Sequence, residues 1–225
     1  MTEHQQNTGL IFSSDPRDKD FAFSKISATR PPIKEKEWWD NGWWGDQGDS
    51  PHCVAYAWMH VLEDGPVIQD AVVGRSKPFF KPQRFYEECK KLDGMKPGLE
   101  GTTVRAGAKL AQRLQLISEY RWGETIDDVI DALVIFGPIV VATQWYEGMN
   151  NYTMKPSGKS MGGHAYVLNG IDLNSGTIRV KNSWGKSWGR QGHGSISINN
   201  FKTLIDQGAE ICIPFELKLD KVPFL

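Results

Sequence analysis

A cysteine, a histidine and an asparagine, far apart in the sequence, are of the types that together perform nucleophilic catalysis. Cys53 lies in the first turn of a predicted helix, where unpaired backbone N–H groups and the positive end of the helix dipole stabilise a thiolate. Gln47, six residues upstream, can fold its side-chain amide toward the sulfur and form an oxyanion hole with the Cys53 N–H. A lone cysteine at a helix start is more often a small core residue, so this interpretation needs partners.

His164 and Asn182 are the candidate partners. His164 follows Gly162-Gly163 and opens the predicted strand HAYVLNGI, while Asn182 begins the tetrapeptide NSWG after the strand TIRVKNS. An asparagine carbonyl can accept from one ring nitrogen of a histidine and hold the other nitrogen toward a thiol. The neighbouring Trp184 can shield that hydrogen bond from water. Taken singly, a satisfied histidine and a polar turn are the simpler interpretations.

Helices precede strands along the chain. Apolar spacings of three and four residues predict helices over residues 51–64, 82–92, 104–114 and 126–136, with Ser50 and Thr103 as N-caps and a capping box at Thr125 and Asp128. After Gly137-Pro138 the sequence turns to short β-branched runs that predict strands. This order predicts an α+β architecture of two lobes. We divide it into an N-terminal extension (1–42), a helical lobe (43–136) and a strand-rich lobe (137–225).

Composition argues against several kinds of partner. Lys and Arg total 26 against 27 Asp and Glu, so no strong field is available to attract nucleic acid or an anionic membrane. No run is long and apolar enough for a membrane span, and residues 1–12 lack the features of a secretory signal. Three widely spaced cysteines predict free thiols, and the absence of a CxxC pair gives no support for a zinc site. We therefore expect a cytoplasmic protein without a metal or organic cofactor.

Several blocks of the sequence resemble one known family. The segments QGDSPHCVAYAW, GGHAYVLNGID and KNSWGKSWGRQGHGSISI are similar to the three active-site blocks of papain-family cysteine peptidases. The order Gln47, Cys53, His164, Asn182 and the spacing from the glutamine to the cysteine also match. The resemblance extends to GPIVVATQWYEGM and NNFKTLI and covers the chain from about Trp43 to Ile213.

The resemblance implies a papain-like two-lobe fold, in which a helical lobe and a small antiparallel β-barrel lobe enclose an active-site cleft. It implies a cysteine-type peptidase that hydrolyses peptide bonds through a thioester, with Cys53 and His164 resting as thiolate and imidazolium. Peptide or protein substrates are the expected partners. The substrate contacts that it implies fall on Gly101, Ala142, Ala165 and Trp184. By the same resemblance, the two small alanines would line a roomy, apolar pocket for the side chain of the second substrate residue before the scissile bond.

Two substitutions keep other functions open. Ser50 replaces a cysteine of the family pattern, and Glu100 replaces the first glycine of a Gly-Gly pair that binds the substrate backbone. A catalytically silent papain-fold protein with a structural or binding role would tolerate both changes. A Cys–His acyl transferase would use the same thioester. The intact four catalytic positions favour the peptidase.

The N-terminal extension is too short to match the large helical propeptide of secreted family members. Four tryptophans in WWDNGWW are hard to solvate and are expected to pack against the body or line the cleft. We expect the extension to cross the cleft as a lid.

Overall fold

The computed structural model describes residues 9–13, 15–26, 29–38, 43–64, 81–96 and 98–216. Within these stretches the chain forms five α-helices and an eight-stranded sheet, which confirms the predicted α+β class. Trp39, one of the four tryptophans of WWDNGWW, and residues 65–66, which follow the first predicted helix, lie outside the described residues. No described helix is long and apolar enough to cross a bilayer.

Three helices pack around the first of two hydrophobic cores. They are α1 (Cys53–Asp64), α2 (Pro82–Leu92) and α3 (Val104–Arg113). Pro82 begins α2, as its fixed φ suits the first helical position. The Thr103 hydroxyl caps α3 by accepting from the Ala106 N–H at 3.0 Å. The predicted bounds of α2 are confirmed, and α3 ends one residue earlier than predicted.

The sheet consists of β1 (Glu35–Glu37), β2 (Glu119–Gly123), β3 (Ile139–Tyr146), β4 (Thr153–Met154), β5 (Ser160–Asp172), β6 (Thr177–Lys181), β7 (His193–Ser197) and β8 (Glu210–Phe215). The strand order is β2-β8-β3-β5-β6-β7-β4, and β1 pairs with β5. Successive side chains of a strand point to opposite faces. Val140 and Ala142 of β3 therefore join the helical core, while Ile139 and Val141 join the second core on the other face.

Two details of the predicted strand-rich lobe are wrong. In the described chain the sheet is open rather than closed into a barrel, because the end strands β2 and β4 pair only with β8 and β7. Closure needs edge strands long enough to pair with each other, and β4 has only two residues. The sheet is also not wholly antiparallel, since β4 and β7 run parallel. Beyond the strands predicted after residue 137, the sheet also includes β1 and β2.

Two further helices cover the second core. The helix α4 (Ile126–Asp131) begins with the predicted capping box: Thr125 accepts from the Asp128 N–H at 3.1 Å, and Asp128 accepts from the Thr125 N–H at 2.9 Å. It continues as a π-helical turn, Ala132–Phe136. The helix α5 (Ile198–Asp206) follows β7 directly and buries Phe201 and Leu204.

The N-terminal part of the chain packs beside β2. A 3-10 helix, Pro16–Phe21, begins with a capping box in which Asp15 and Asp18 take part. Phe21 stacks on Tyr120 with 6.1 Å between the ring centroids, and Ala22 forms a β-bridge with Trp122. Residues 9–13, which precede this helix, are called the covering segment below.

Candidate active site

Cys53 is the first residue of α1 and is fully buried. The predicted cap at Ser50 is wrong, because its hydroxyl donates instead to the Gln47 carbonyl at 2.6 Å. The thiol lies among backbone N–H groups, those of Ala165, Val54 and Cys53 itself, each of which lowers the pKa of the thiol. The N–H of Ala165 belongs to β5, so the first residue of the helix meets the strand that carries His164.

His164 and Asn182 are joined by a buried hydrogen bond of 2.8 Å between Nε2 and Oδ1. The same Oδ1 accepts from the Ser183 backbone N–H at 2.8 Å, which identifies it as the amide oxygen. An amide oxygen only accepts, so Nε2 of His164 carries a proton and donates it. The other ring nitrogen, Nδ1, is buried and has no hydrogen-bond partner among the described residues. In the neutral ring, Nδ1 therefore carries no proton and can accept one.

Burial sets the protonation of this site. It raises the pKa of Cys53 to about 12, against the opposing effect of the surrounding N–H groups. It also lowers the pKa of His164 to about 4, against the opposing effect of the Asn182 hydrogen bond. Both shifts disfavour the charged forms. At this buried site, desolvation therefore opposes the expected ion pair, because burial penalises an isolated charge on either group.

Gln47 connects the loop before α1 to the loop after β6. Its side-chain Nε2 donates to the Ser50 carbonyl at 3.0 Å, and its Oε1 accepts from the Ser183 hydroxyl at 2.6 Å. The Gln47 backbone N–H also donates to the Ser183 carbonyl at 2.8 Å. These bonds orient the amide nitrogen toward the loop that leads into Cys53. Sequence reasoning missed Ser183, although its position inside the NSWG tetrapeptide was the available signal.

Aromatic rings enclose the imidazole. The Trp184 ring lies 4.9 Å from the His164 ring between centroids, inclined by 35°, where it was expected to shield the hydrogen bond. Trp145 makes an edge contact with the same ring at 4.9 Å, and Tyr166 lies 6.1 Å from it. The last two contacts were not anticipated, although both residues stand in blocks that resemble the family, because a pattern along a strand does not show which rings meet in space.

The covering segment crosses the site between the helices and the sheet. Leu10 forms a parallel β-bridge with Thr102: the Thr102 N–H donates to the Gly9 carbonyl at 3.1 Å, and the Ile11 N–H donates to the Thr102 carbonyl at 3.0 Å. Leu10 packs against the core cluster that includes Cys53. The covering segment is therefore hydrogen-bonded to the loop before α3 and packs beside the core that contains Cys53.

Two glycines make room for the covering segment. A Cβ on Gly163, next to His164, would lie 2.8 Å from the ring of Phe12. A Cβ on Gly101 would lie 2.7 Å from the Gly9 carbonyl oxygen, and Gly101 has φ +94. The Gly101 N–H donates to the Tyr86 hydroxyl at 2.8 Å, which fixes this loop against α2.

The structure groups the remaining predicted substrate residues around the same cleft. Ala142 and Ala165 pair directly across β3 and β5 and are both fully buried in the core that contains Cys53. Glu210 pairs with Ala142 from the other side. It was not recognised from the sequence, because a charged residue at a strand start is usually solvated.

The described fold and its grouped cysteine, histidine and asparagine define an α+β protein of the papain-like class. The chain matches the model for papain family cysteine proteases over residues 54–212, about seven-tenths of its length. It belongs to that family. Cys53 and Gln47 precede the matched region, so their assignment depends on the geometry given above.

Relatives support the same family at lower coverage. The chain is 30% identical over 88 residues to Cathepsin O of Homo sapiens, which is 37% of this chain and 27% of that protein. It is 34% identical over 80 residues to Cathepsin B-like cysteine proteinase 5 of Caenorhabditis elegans, 33% of this chain and 23% of that protein. The chain thus spans about a quarter of the length of these curated relatives.

The fold is similar to that of xylellain, a cysteine protease from Xylella fastidiosa. The TM-score is 0.70 at 16% sequence identity, and the similarity covers 97% of this chain and 100% of xylellain. At this identity the similarity shows the fold alone.

Proposed function

We propose that this protein is a cysteine peptidase that hydrolyses peptide bonds of peptide or protein substrates through a thioester. One observation carries the proposal. Asn182 fixes the tautomer of His164, so that the unprotonated ring nitrogen is Nδ1, which is not bonded to the Asn182 side chain. The Cys53 thiol contacts the backbone N–H of Ala165, the residue after His164 on the same strand. This arrangement suits a nucleophile and its general base.

The first half of the reaction needs the covering segment to give way to a substrate. The thiol proton of Cys53 then moves to Nδ1 of His164, and the thiolate attacks the carbonyl carbon of the scissile amide. Resolvation of the open cleft favours this ion pair, which burial opposes in the covered state. The Cys53 N–H and the Gln47 side-chain amide stabilise the oxyanion. The imidazolium gives its Nδ1 proton to the departing amine, and a thioester remains.

The second half regenerates the site. A water molecule gives a proton to Nδ1 as its oxygen attacks the thioester carbon, and the Cys53 thiolate leaves and recovers that proton. Asn182 keeps the imidazole in one orientation through both halves, because its carbonyl holds the Nε2 proton throughout.

The test is turnover of fluorogenic peptides by the full chain and by the Cys53→Ala variant. We expect measurable turnover that Cys53→Ala abolishes. A peptidyl epoxide should modify Cys53 and block turnover. The matched control is Cys89→Ala, since Cys89 is also a buried free thiol but lies on α2.

Turnover that survives Cys53→Ala would exclude Cys53 as the nucleophile. If the unmodified chain shows no turnover, the Gly9→Ala chain is tested as well, because that substitution should displace the covering segment. Absence of turnover in both chains would reject the proposal.

A further inference from the structure

Trp145 lies beside His164 on the same face of the sheet, although it belongs to the neighbouring strand. Thr143 of β3 pairs directly with His164 of β5. Trp145 comes two residues after Thr143 and pairs with Gly162. Diagonal neighbours on one face of a sheet are within reach of aromatic side chains. Gly162 has φ +106 and no side chain, so its position leaves space for the large indole opposite.

The indole of Trp145 packs against both the imidazole and Trp184. Its ring centroid lies 4.9 Å from that of His164, with 79° between the planes, and 4.9 Å from that of Trp184, with 69° between the planes. Both contacts have the edge geometry that aromatic pairs favour. Trp145 is fully buried. The orientation of the imidazole therefore depends on a packed ring as well as on its hydrogen bond to Asn182.

A hydrogen bond holds the indole of Trp145 in place. Its Nε1 donates to Oδ1 of Asn150 at 2.8 Å. Trp184 and Trp188 belong to the same cluster of rings, but their indole N–H groups are buried without a hydrogen-bond partner among the described residues. Of these three indoles, Trp145 is thus the one that a polar contact within the described chain fixes.

Asn150 lies at the surface, at the end of the 3-10 turn Glu147–Met149. Its backbone N–H donates to the Glu147 carbonyl at 3.1 Å. Its side-chain Nδ2 donates to the sulfur of Met161 at 3.5 Å, three residues before His164. The side-chain amide therefore joins the segment after β3 to the strand that carries the histidine. None of its described hydrogen bonds reaches a reacting group.

We propose that Asn150 is a positioning residue for His164 and that it acts through Trp145. The inference rests on the proposed peptidase function. His164 takes up and releases a proton at Nδ1 in both halves of the reaction, so its ring must keep one orientation through several transfers. The bond from Trp145 to Asn150 fixes the ring that packs beside the imidazole. Without this acceptor the indole N–H would be a buried donor lacking a partner, which favours its movement toward water.

The first experiment measures kcat and KM of three variants with a fluorogenic peptide. Asn150→Ala should lower kcat about 3- to 10-fold, the effect of losing one neutral hydrogen bond, with KM nearly unchanged. Asn150→Asp keeps an acceptor oxygen and should restore kcat. Asn151→Ala changes the next residue, which is also exposed, and should behave as the unmodified chain. Unchanged kcat in Asn150→Ala, or failure of Asn150→Asp to restore it, would overturn the inference and leave the peptidase proposal intact.

A double-mutant cycle tests whether the effect passes through the indole. Trp145→Phe keeps an aromatic ring and removes the N–H group. In that background Asn150→Ala should therefore lower kcat no further, since residues that act through one contact are not additive. A decrease by the same factor in both backgrounds would contradict the role given to Trp145. If circular dichroism shows that Trp145→Phe is unfolded, the two Asn150 variants alone decide the question.

A measurement without turnover separates this inference from the peptidase proposal. The Nε2 proton of His164 is buried in its bond to Asn182, and NMR can follow its exchange with water in the Cys53→Ala chain. Adding Asn150→Ala should speed this exchange about 3- to 10-fold, because the packing that limits local opening is weakened. Adding Asn150→Asp should leave the rate unchanged. Equal exchange rates in all three chains would overturn the inference even if no chain cleaves peptides.

Discussion

Asn182 acts on the reaction only through His164, because its Oδ1 touches the imidazole and the Ser183 N–H. We predict that Asn182→Ala lowers kcat/KM about 10- to 100-fold, since a hydrogen bond to a charged group contributes about 1.5–3 kcal/mol and about 1.4 kcal/mol corresponds to a factor of ten. Steady-state kinetics and circular dichroism measure this effect. Asn174→Ala, on an exposed hairpin turn, is the control and should behave as the unmodified chain.

Wild-type kinetics of Asn182→Ala would contradict the positioning role. Loss of folding in that variant would be seen in the circular dichroism spectrum, and Asn182→Asp, which keeps an acceptor oxygen, would then replace it.

At the residue scale, the sequence predicted which groups would meet because their motifs are local. Gln47 and Cys53 share one loop-helix junction, and Asn182 directly follows the short strand β6, which pairs with the strand that carries His164. The protonation of these groups was not predictable. It depends on burial, which comes from residues that are distant in sequence, such as Leu10 in the core that contains Cys53 and Trp145 beside His164.

At the scale of elements, the covering segment is held by a glycine that no other residue can replace easily. Gly9 has φ +56, and a Cβ there would lie 2.2 Å from the Pro51 carbonyl oxygen, just before α1. We predict that Gly9→Ala displaces the segment and raises both peptide turnover and the alkylation rate of Cys53 at neutral pH. The pKa of Cys53 should fall from its value of about 12 as the thiol becomes solvated. Because the thiolate is the reactive form, the alkylation rate rises with the thiolate fraction, which at a fixed pH below the pKa increases about tenfold for each unit of that fall.

The matched control is Gly176→Ala in the hairpin between β5 and β6. Gly176 also has a left-handed backbone, φ +66, but a Cβ there would meet nothing within 4 Å. The Gly176→Ala substitution therefore introduces the same left-handed backbone strain as Gly9→Ala but no steric clash of the new Cβ. If iodoacetamide modifies Cys53 equally fast in both variants and in the unmodified chain, the segment does not limit access to the thiol.

Helix ends with strong local signals were predictable, and the covering segment was not. Pro82 and the Thr125–Asp128 capping box act within one helical turn, so a few adjacent residues are enough to predict where each helix begins. Residues 9–13 carry no turn or helix signal, and their place is set by a bridge to Thr102, more than ninety residues later. The lid expected from the N-terminal extension remains a prediction that the Gly9→Ala experiment tests.

At the scale of the whole molecule, a buried ion pair ties the helices to the sheet. Lys181, the residue before Asn182, pairs with Asp64 at the end of α1, and both side chains are almost fully buried. Its ammonium group also donates to the Trp43 carbonyl at 3.3 Å and lies 4.5 Å from the centroid of the Trp44 ring. One cation thus connects the helix of Cys53, the loop before Gln47 and the strand of Asn182.

We predict that Lys181→Met lowers the free energy of unfolding by about 3–5 kcal/mol, because Asp64 is left as a buried charge without this partner. The double variant Lys181→Met/Asp64→Leu should recover more than half of that loss. Lys186→Met, which removes an exposed cation 5.6 Å from the same Trp44 ring, should change stability by no more than about 0.5 kcal/mol. Urea denaturation of the four chains gives these values. A double variant no more stable than Lys181→Met would show that the pair is not the source of the effect.

Since the cover of the cleft is a piece of the same polypeptide, its competition with a substrate is a unimolecular event. Dilution does not release it, and a short tether can present such a segment at an effective concentration in the millimolar range. Short peptides should therefore show weak apparent affinity, because they bind only the fraction of molecules in which the covering segment has left the cleft. Activity per molecule should be the same in dilute and concentrated solution.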